Sequence, residues 1–170
     1  MVLATAPQGK SRGKRQPAPV QKAIRELAGR SFWHFLTIRI DDEETGKNRT
    51  LVQITDPPDP LTGDTGGVID FEMWEHLEEV VGLLGKNKLL NFLKARQVGL
   101  SWVIGVYCLW LAMYHAAANV LIFSQGEDEA KALLRKIHAV YDNLPWWMQE
   151  DLGVDNTTVM EFPAMASRIT

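Results

Sequence analysis

LLNFLKARQVGLSWVIGVYCLWLAMYHAAANVLIF, residues 89–123, decides how the rest of the chain is read. It opens with a short apolar run, 89–93, of the length and character of a strand covered on both faces. The polar octet 94–101 follows, and then 102–118 is long, apolar and suited to a helix. Asn119 interrupts that helix, and the VLIF at 120–123 starts a second buried strand. Residues 126–143 form a second helix candidate with Ala130, Leu133, Ile137, Val140 and Leu144 along one stripe. Glu127, Asp128 and Glu129 occupy its first turn, where the helix dipole favours acids, and Pro145 ends it. The order strand, loop, helix, strand, helix is a βαβ arrangement, and it predicts the α/β class with a parallel sheet.

A membrane span is the rival for this stretch. Residues 97–126 contain no Asp, Glu, Lys or Arg, and a span of that length could cross a bilayer. Against it, Gly99, Ser101, His115 and Asn119 interrupt the run, its basic flanks are weak, and the pattern changes from helical to β-branched at Asn119. The expectation is an interior helix and strand of an α/β domain, with no membrane.

Upstream, residues 70–84 (DFEMWEHLEEVVGLL) follow the helical period through Phe71, Trp74, Leu77, Val81 and Leu84, with Asp70 as the N-cap and Gly85 and Asn87 as the stop. DPPDPLTGDTGG, 56–67, is all breakers and predicts a loop or subdomain joint. Residues 35–40 and 50–54 lean toward strands, joined by the polar DDEETGKNR, in which Gly46 takes a positive φ. Residues 21–29 are a short helix candidate with Ile24 and Leu27 on one face. The acids at 41–44 resemble a metal cluster only superficially, because successive residues of a turn point in different directions; a solvated loop is expected. The expected organisation is a disordered basic leader over 1–20, a helix, hairpin and loop over 21–69, and the main domain over 70–170.

The chain has 170 residues, 46% of them apolar and 23% charged, which is ordinary globular usage. Six of its 18 basic side chains lie in residues 1–25, which hold no acid, so all 21 acidic side chains fall on the remainder. A basic tail of this kind could neutralise nucleic-acid phosphates, but the same composition describes a solvated leader, and that is the expectation. Cys108 is the only cysteine, which excludes an intrachain disulfide and suits a small core residue. The four histidines are scattered without ligand spacing, so no zinc site is expected. No apolar stretch follows the leader's positive charges, unlike a secretory signal.

Chemistry concentrates at KARQVGLS, 94–101. A loop that leads from a sheet into a helix N-terminus presents backbone N–H groups that converge on an anion. Gly99 lets the backbone approach a phosphate without a Cβ in the way, and the Ser101 hydroxyl suits Mg²⁺. The standard phosphate loop reads G-x-x-x-x-G-K-[ST]. Aligned on Gly99 and Ser101, this chain has Lys94 at the first glycine and Leu100 at the lysine. The strict motif is missed, and the phosphate charge falls to Lys94 or Arg96 at the start of the loop. The plain alternative is an ordinary connection with two surface cations and Ser101 as a helix cap. Trp102, Trp110, Trp146 and Trp147 read as core or docking aromatics.

KARQVGLSW at 94–102, with NVLIFSQGEDEAKALLRKIHAVYDNLP behind it at 119–145 and FEMWEH in front at 71–76, resembles the large terminase subunit of tailed bacteriophages. The resemblance covers about residues 70–145. It implies an incomplete P-loop-type three-layer parallel sheet that binds ATP and Mg²⁺ through a variant Walker A loop to power DNA packaging. It implies phosphate contacts from Lys94, Arg96, Gln97, Gly99, Leu100, Ser101 and Trp102, adenine-side contacts from Phe71 and Trp74, and Ser101 as the metal-binding side chain. Leu77 stands where the family commonly has glutamine, which puts direct adenine reading in doubt. The implied partners are double-stranded DNA, a portal protein and a small terminase subunit, in a homo-oligomeric ring in the cytoplasm of an infected bacterium. No apolar strand ending in Asp-Glu follows Ser124, so the Walker B strand, the coupling motif and the nuclease domain are expected beyond Thr170, with no catalytic residue in the chain. The alternatives are another P-loop ATPase such as a helicase, or a small membrane-associated or binding protein without nucleotide.

Overall fold

Leu100–Tyr114 forms a helix on which most other elements pack, because Val103, Val106, Leu109, Ala112 and Met113 recur along it and are all buried. The computed structural model describes residues 17–43, 45–58, 61, 65–93 and 99–170. In chain order the elements are α1 (Pro19–Arg30), α2 (Phe32–Thr37), β1 (Arg39–Asp41), β2 (Asn48–Thr50), β3 (Gln53–Asp56), β4 (Gly67–Asp70), α3 (Glu75–Leu84), α4 (Leu100–Tyr114), β5 (Asn119–Val120), α5 (Glu127–Asn143), β6 (Met160–Phe162) and β7 (Ser167–Ile169). The described chain is thus mixed α/β, with five α-helices and three small sheets.

Helix α4 touches α1, α2, α3, α5, β5 and β7. It meets α5 at Gly105, where a Cβ would lie 3.4 Å from Ile137 Cγ1; the small residue lets the two helices approach closely. Of the expected α5 stripe Ile137, Val140 and Leu144 are buried while Ala130 and Leu133 are half-buried, and Leu134 and Tyr141 complete the buried face; the first turn carries Glu127, Asp128 and Glu129, the first of which pairs with Lys131 at 2.6 Å. Trp110 Nε1 donates to the Ala28 carbonyl at 2.9 Å, and Arg25 of α1 pairs with Glu150, so the front of the chain is tied to α4 and to the segment that follows α5. One buried cluster runs from Ala28, Phe35 and Leu51 through Leu109 and Ile137 to Phe162 and Ile169. Cys108 lies on α4, and burial pushes its thiol up to about 11.

A break separates helix from strand, but Asn119 does not make it: the helix expected to run to residue 118 ends at Tyr114, and Asn119 is already in the strand. Helix α4 stops at Tyr114, the chain turns through Ala117 at φ 58, and β5 begins at Asn119. At 15 residues α4 is about 22 Å long, short of the roughly 30 Å hydrocarbon layer. Among the described residues no helix is long and apolar enough to cross a membrane.

The sheets differ from the sequence expectation in four ways. First, β5 pairs in parallel with β7, and β7 pairs antiparallel with β6. The parallel crossover therefore runs from β5 through α5 to β7, and Ile122 N–H extends it to the Thr170 carbonyl at 2.8 Å. Residues 89–93, expected as a buried strand, enter no ladder, and Leu89 and Leu93 are fully exposed, because no described strand lies beside them. Second, residues 32–37 are helical where a strand was expected from 35; Phe32, Phe35 and Leu36 at helical spacing all reach the core. The hairpin itself forms, as β1 with β2, and Gly46 has φ 67.

Third, Asp70 does not cap a helix. It closes the β3–β4 hairpin, and its carboxylate accepts from the Thr50 N–H at 3.1 Å, the Gln53 amide at 3.1 Å and Arg39 at 3.2 Å. These partners satisfy it better than a helix start would, and α3 begins only at Glu75. Of the breaker-rich 56–67, Asp56 ends β3 and Gly67 opens β4, paired with each other; residues 59, 60 and 62–64 lie outside the described residues. Fourth, the described acids of the first hairpin have partners: Asp41 accepts from Asn48 Nδ2 at 3.0 Å, Asp42 pairs with Arg49 at 2.7 Å, and Glu43 accepts from Trp146 Nε1 at 3.2 Å; Glu44 lies outside the described residues. Among the described residues no three His, Cys, Asp or Glu side chains are grouped to hold a metal.

Candidate anion-binding site at the start of α4

Gly99 is the N-cap of α4 and takes the left-handed conformation, φ 74 and ψ −12, which an L side chain adopts only under strain. Its carbonyl accepts from Trp102 N–H at 2.9 Å and Val103 N–H at 3.3 Å. The N–H groups of Leu100 and Ser101 stand ahead of the first of these bonds, with no backbone acceptor among the described residues. A helix start with free N–H groups carries partial positive charge, and no acid in the first turn of α4 offsets it. The Ser101 side chain is exposed and has no hydrogen bond among the described residues, so its hydroxyl is available to a cation or a phosphate oxygen.

The structure distributes the other sequence-derived positions unevenly. Lys94, Arg96 and Gln97 lie outside the described residues. The Leu100 side chain is buried, which leaves its backbone N–H as the group it can offer a ligand. Trp102 is half-buried, with the Lys136 ammonium of α5 4.7 Å from its ring centroid; the pair joins α4 to α5 by a cation–π contact. Nothing local in the sequence marks Lys136 as Trp102's neighbour.

Phe71 and Trp74 separate cleanly. Phe71 is 4% exposed, and its N–H bonds to the Val52 carbonyl at 3.2 Å and Thr50 Oγ1 at 3.1 Å. It is a core residue with no face for a ligand. Trp74 is 47% exposed and caps the start of α3. Its ring lies against Gly99: a Cβ built there would sit 3.5 Å from Trp74 Cζ3 and 3.2 Å from Leu77 Cδ1. Leu77 is buried beneath the glycine, and its apolar side chain offers no hydrogen bond. The His76 ring stands 5.6 Å from that of Trp74. Fold and spacing thus bring together Gly99, the α4 N-terminus, Ser101 and one exposed aromatic. The Trp74–Gly99 contact could be found in the sequence only as two separate motifs.

Anion binding at the helix start and stacking on a neighbouring indole are what this arrangement can do. Ser101 supplies one hard oxygen, which fits Mg²⁺ held mainly by water and phosphate oxygens. The chain matches no protein-family model, and no curated protein matches it.

Proposed function

We propose that the chain is the N-terminal ATPase portion of a viral terminase large subunit, binding ATP through a variant Walker A loop to power packaging of double-stranded DNA. The observation that carries this reading is the end of KARQVGLSW: Gly99 is a left-handed cap opening α4, with Trp74 packed upon it. In this reading the N–H groups of Leu100 and Ser101 take phosphate oxygens, and Lys94 or Arg96 supplies the charge that a standard loop draws from its lysine. Trp74 stacks on the base. Mg²⁺, when bound, neutralises charge on the phosphates, and Ser101 is its side-chain contact. The parallel β5–β7 pair, with α4 against it and α5 in the crossover between its strands, supports a P-loop-type layered sheet as the finer architecture. A portal protein, a small terminase subunit and a ring of identical chains are the partners this function requires, in the cytoplasm of an infected bacterium.

Nucleotide titration tests it. Lys94→Ala and Arg96→Ala should each be compared with Lys22→Ala, which removes an exposed cation on α1. With Mg·ATP, at least one loop variant should bind about tenfold more weakly, a loss of about 1.4 kcal/mol. Ser101→Ala should lower the dependence on Mg²⁺. Equal affinity in all three cation variants would refute the displaced-cation loop.

A further inference from the structure

His138 sits mid-way along α5, and both of its ring nitrogens face oxygens. Nδ1 lies 3.0 Å from the Leu134 carbonyl, and Nε2 lies 2.6 Å from Asp155 Oδ1. A carbonyl oxygen only accepts, so Nδ1 must carry a hydrogen. The carboxylate contact needs a second hydrogen, on Nε2 or on the carboxyl. A neutral imidazole facing an ionised carboxylate has one hydrogen for two acceptors, and the Nε2 lone pair would then point at Asp155. The closed geometry therefore holds one proton more than a neutral imidazole beside an ionised carboxylate.

Asp155 is presented by a tightly bonded turn. Asn156 Oδ1 accepts from the N–H groups of Thr158 and Val159, each at 2.9 Å, and Asn156 N–H donates to the Val159 carbonyl at 2.9 Å. The strand side of this turn continues into β6: Gly153 N–H bonds to the Glu161 carbonyl at 3.0 Å, Glu161 N–H to the Val154 carbonyl at 2.9 Å, and Asp155 bridges Met160. The His138–Asp155 contact thus ties the margin of the β5–β7–β6 sheet to α5.

We propose that His138 and Asp155 form a proton-dependent latch, closed while a proton is shared between them and released when it leaves as pH rises. The charges around it act on both sides. Asp142, one turn further along α5, shares the same cleft; burial raises its carboxyl, His138 lowers it and Asp155 raises it. Arg135, on the preceding turn, lines the same cleft and brings a positive charge to it. Helix α4 brings no charged side chain to α5, and β3 brings only Asp56, which is exposed; Asp151 lies exposed beside the turn. Because the closed state binds the extra proton, raising pH favours the open one. The latch involves no residue of the α4 site and stands whether or not nucleotide binds there.

Amide hydrogen exchange on the full chain tests this, at about pH 6 and about pH 9 to bracket histidine titration. After correction for intrinsic rates, the Gly153 and Glu161 amides should lose roughly tenfold or more of their protection at the higher pH. The Thr170 amide, bonded to the Val120 carbonyl at 2.9 Å, is the internal reference and should not follow. In His138→Gln, whose side chain does not titrate, the difference between the two pH values should vanish. If that variant fails to fold, Asp155→Asn, at an exposed position, makes the same comparison. Wild-type protection that tracks Thr170 at both pH values would overturn the latch. So would an unchanged pH response in the folded variant.

Discussion

Residues 89–93 and 119–123 flank α4 on either side and read almost alike, LLNFL and NVLIF, yet only the second is in a sheet. The α5 crossover brings β7 alongside β5, where Asn119 and Val120 pair with Arg168 and Ile169. Nothing described brings a strand to residues 89–93, and Leu89 and Leu93 stand fully exposed. Even the seated run is covered on one face only. Val120 and Ile122 pack toward the core, whereas Leu121 and Phe123, pointing the other way, are exposed. An apolar run states that a strand is affordable in that place; a partner within hydrogen-bonding distance decides whether it forms.

Ile169→Ala is the strongest way to break this contrast. Ile169 is fully buried in β7, opposite Val120. Its truncation should cost about 2–5 kcal/mol in denaturant unfolding, the range for large-to-small core changes. A loss below about 1 kcal/mol would mean that β7 is not what seats the second run. An intermediate effect is expected at the junction between the first run and α4. Gly99→Ala places a Cβ at φ 74 and 3.2 Å from Leu77 Cδ1, and should cost about 1–3 kcal/mol. Full stability in that variant would show that α4 can begin without a left-handed residue. The smallest effect belongs to the unseated run itself. Leu89→Ser and Leu93→Ser should each change stability by no more than about 0.5 kcal/mol, as exposed positions do. A loss of about 2 kcal/mol in either would place that leucine in a packed strand, and the two runs would then differ less than they do here.

The candidate site divides along similar lines. Gly99 and Ser101 were legible because a glycine and a hydroxyl at the mouth of a helix have local meaning. The structure starts α4 between them, with Gly99 left-handed and Ser101 exposed. Phe71 and Trp74 are three residues apart and looked equivalent, but β4 carries Phe71 into the core while Trp74 emerges at the start of α3. The same misplacement of the helix start misassigned Asp70. A carboxylate before an apolar period suits a cap, and only the approach of Arg39, Thr50 and Gln53 from two hairpins gives it other work.

The sequence by itself determined that helices lie at α1, α3, α4 and α5, that α3 ends at Gly85 and that a strand follows α4 from Asn119. Each rests on contacts within a few residues, where periodicity, capping and breakers act directly. The tertiary structure alone decided which apolar runs pair, that 32–37 is helical, which aromatic stays exposed beside Gly99, and that His138 meets Asp155. Those outcomes depend on residues far apart in the chain being brought to one place, and the packing of α4 and α5 makes that placement.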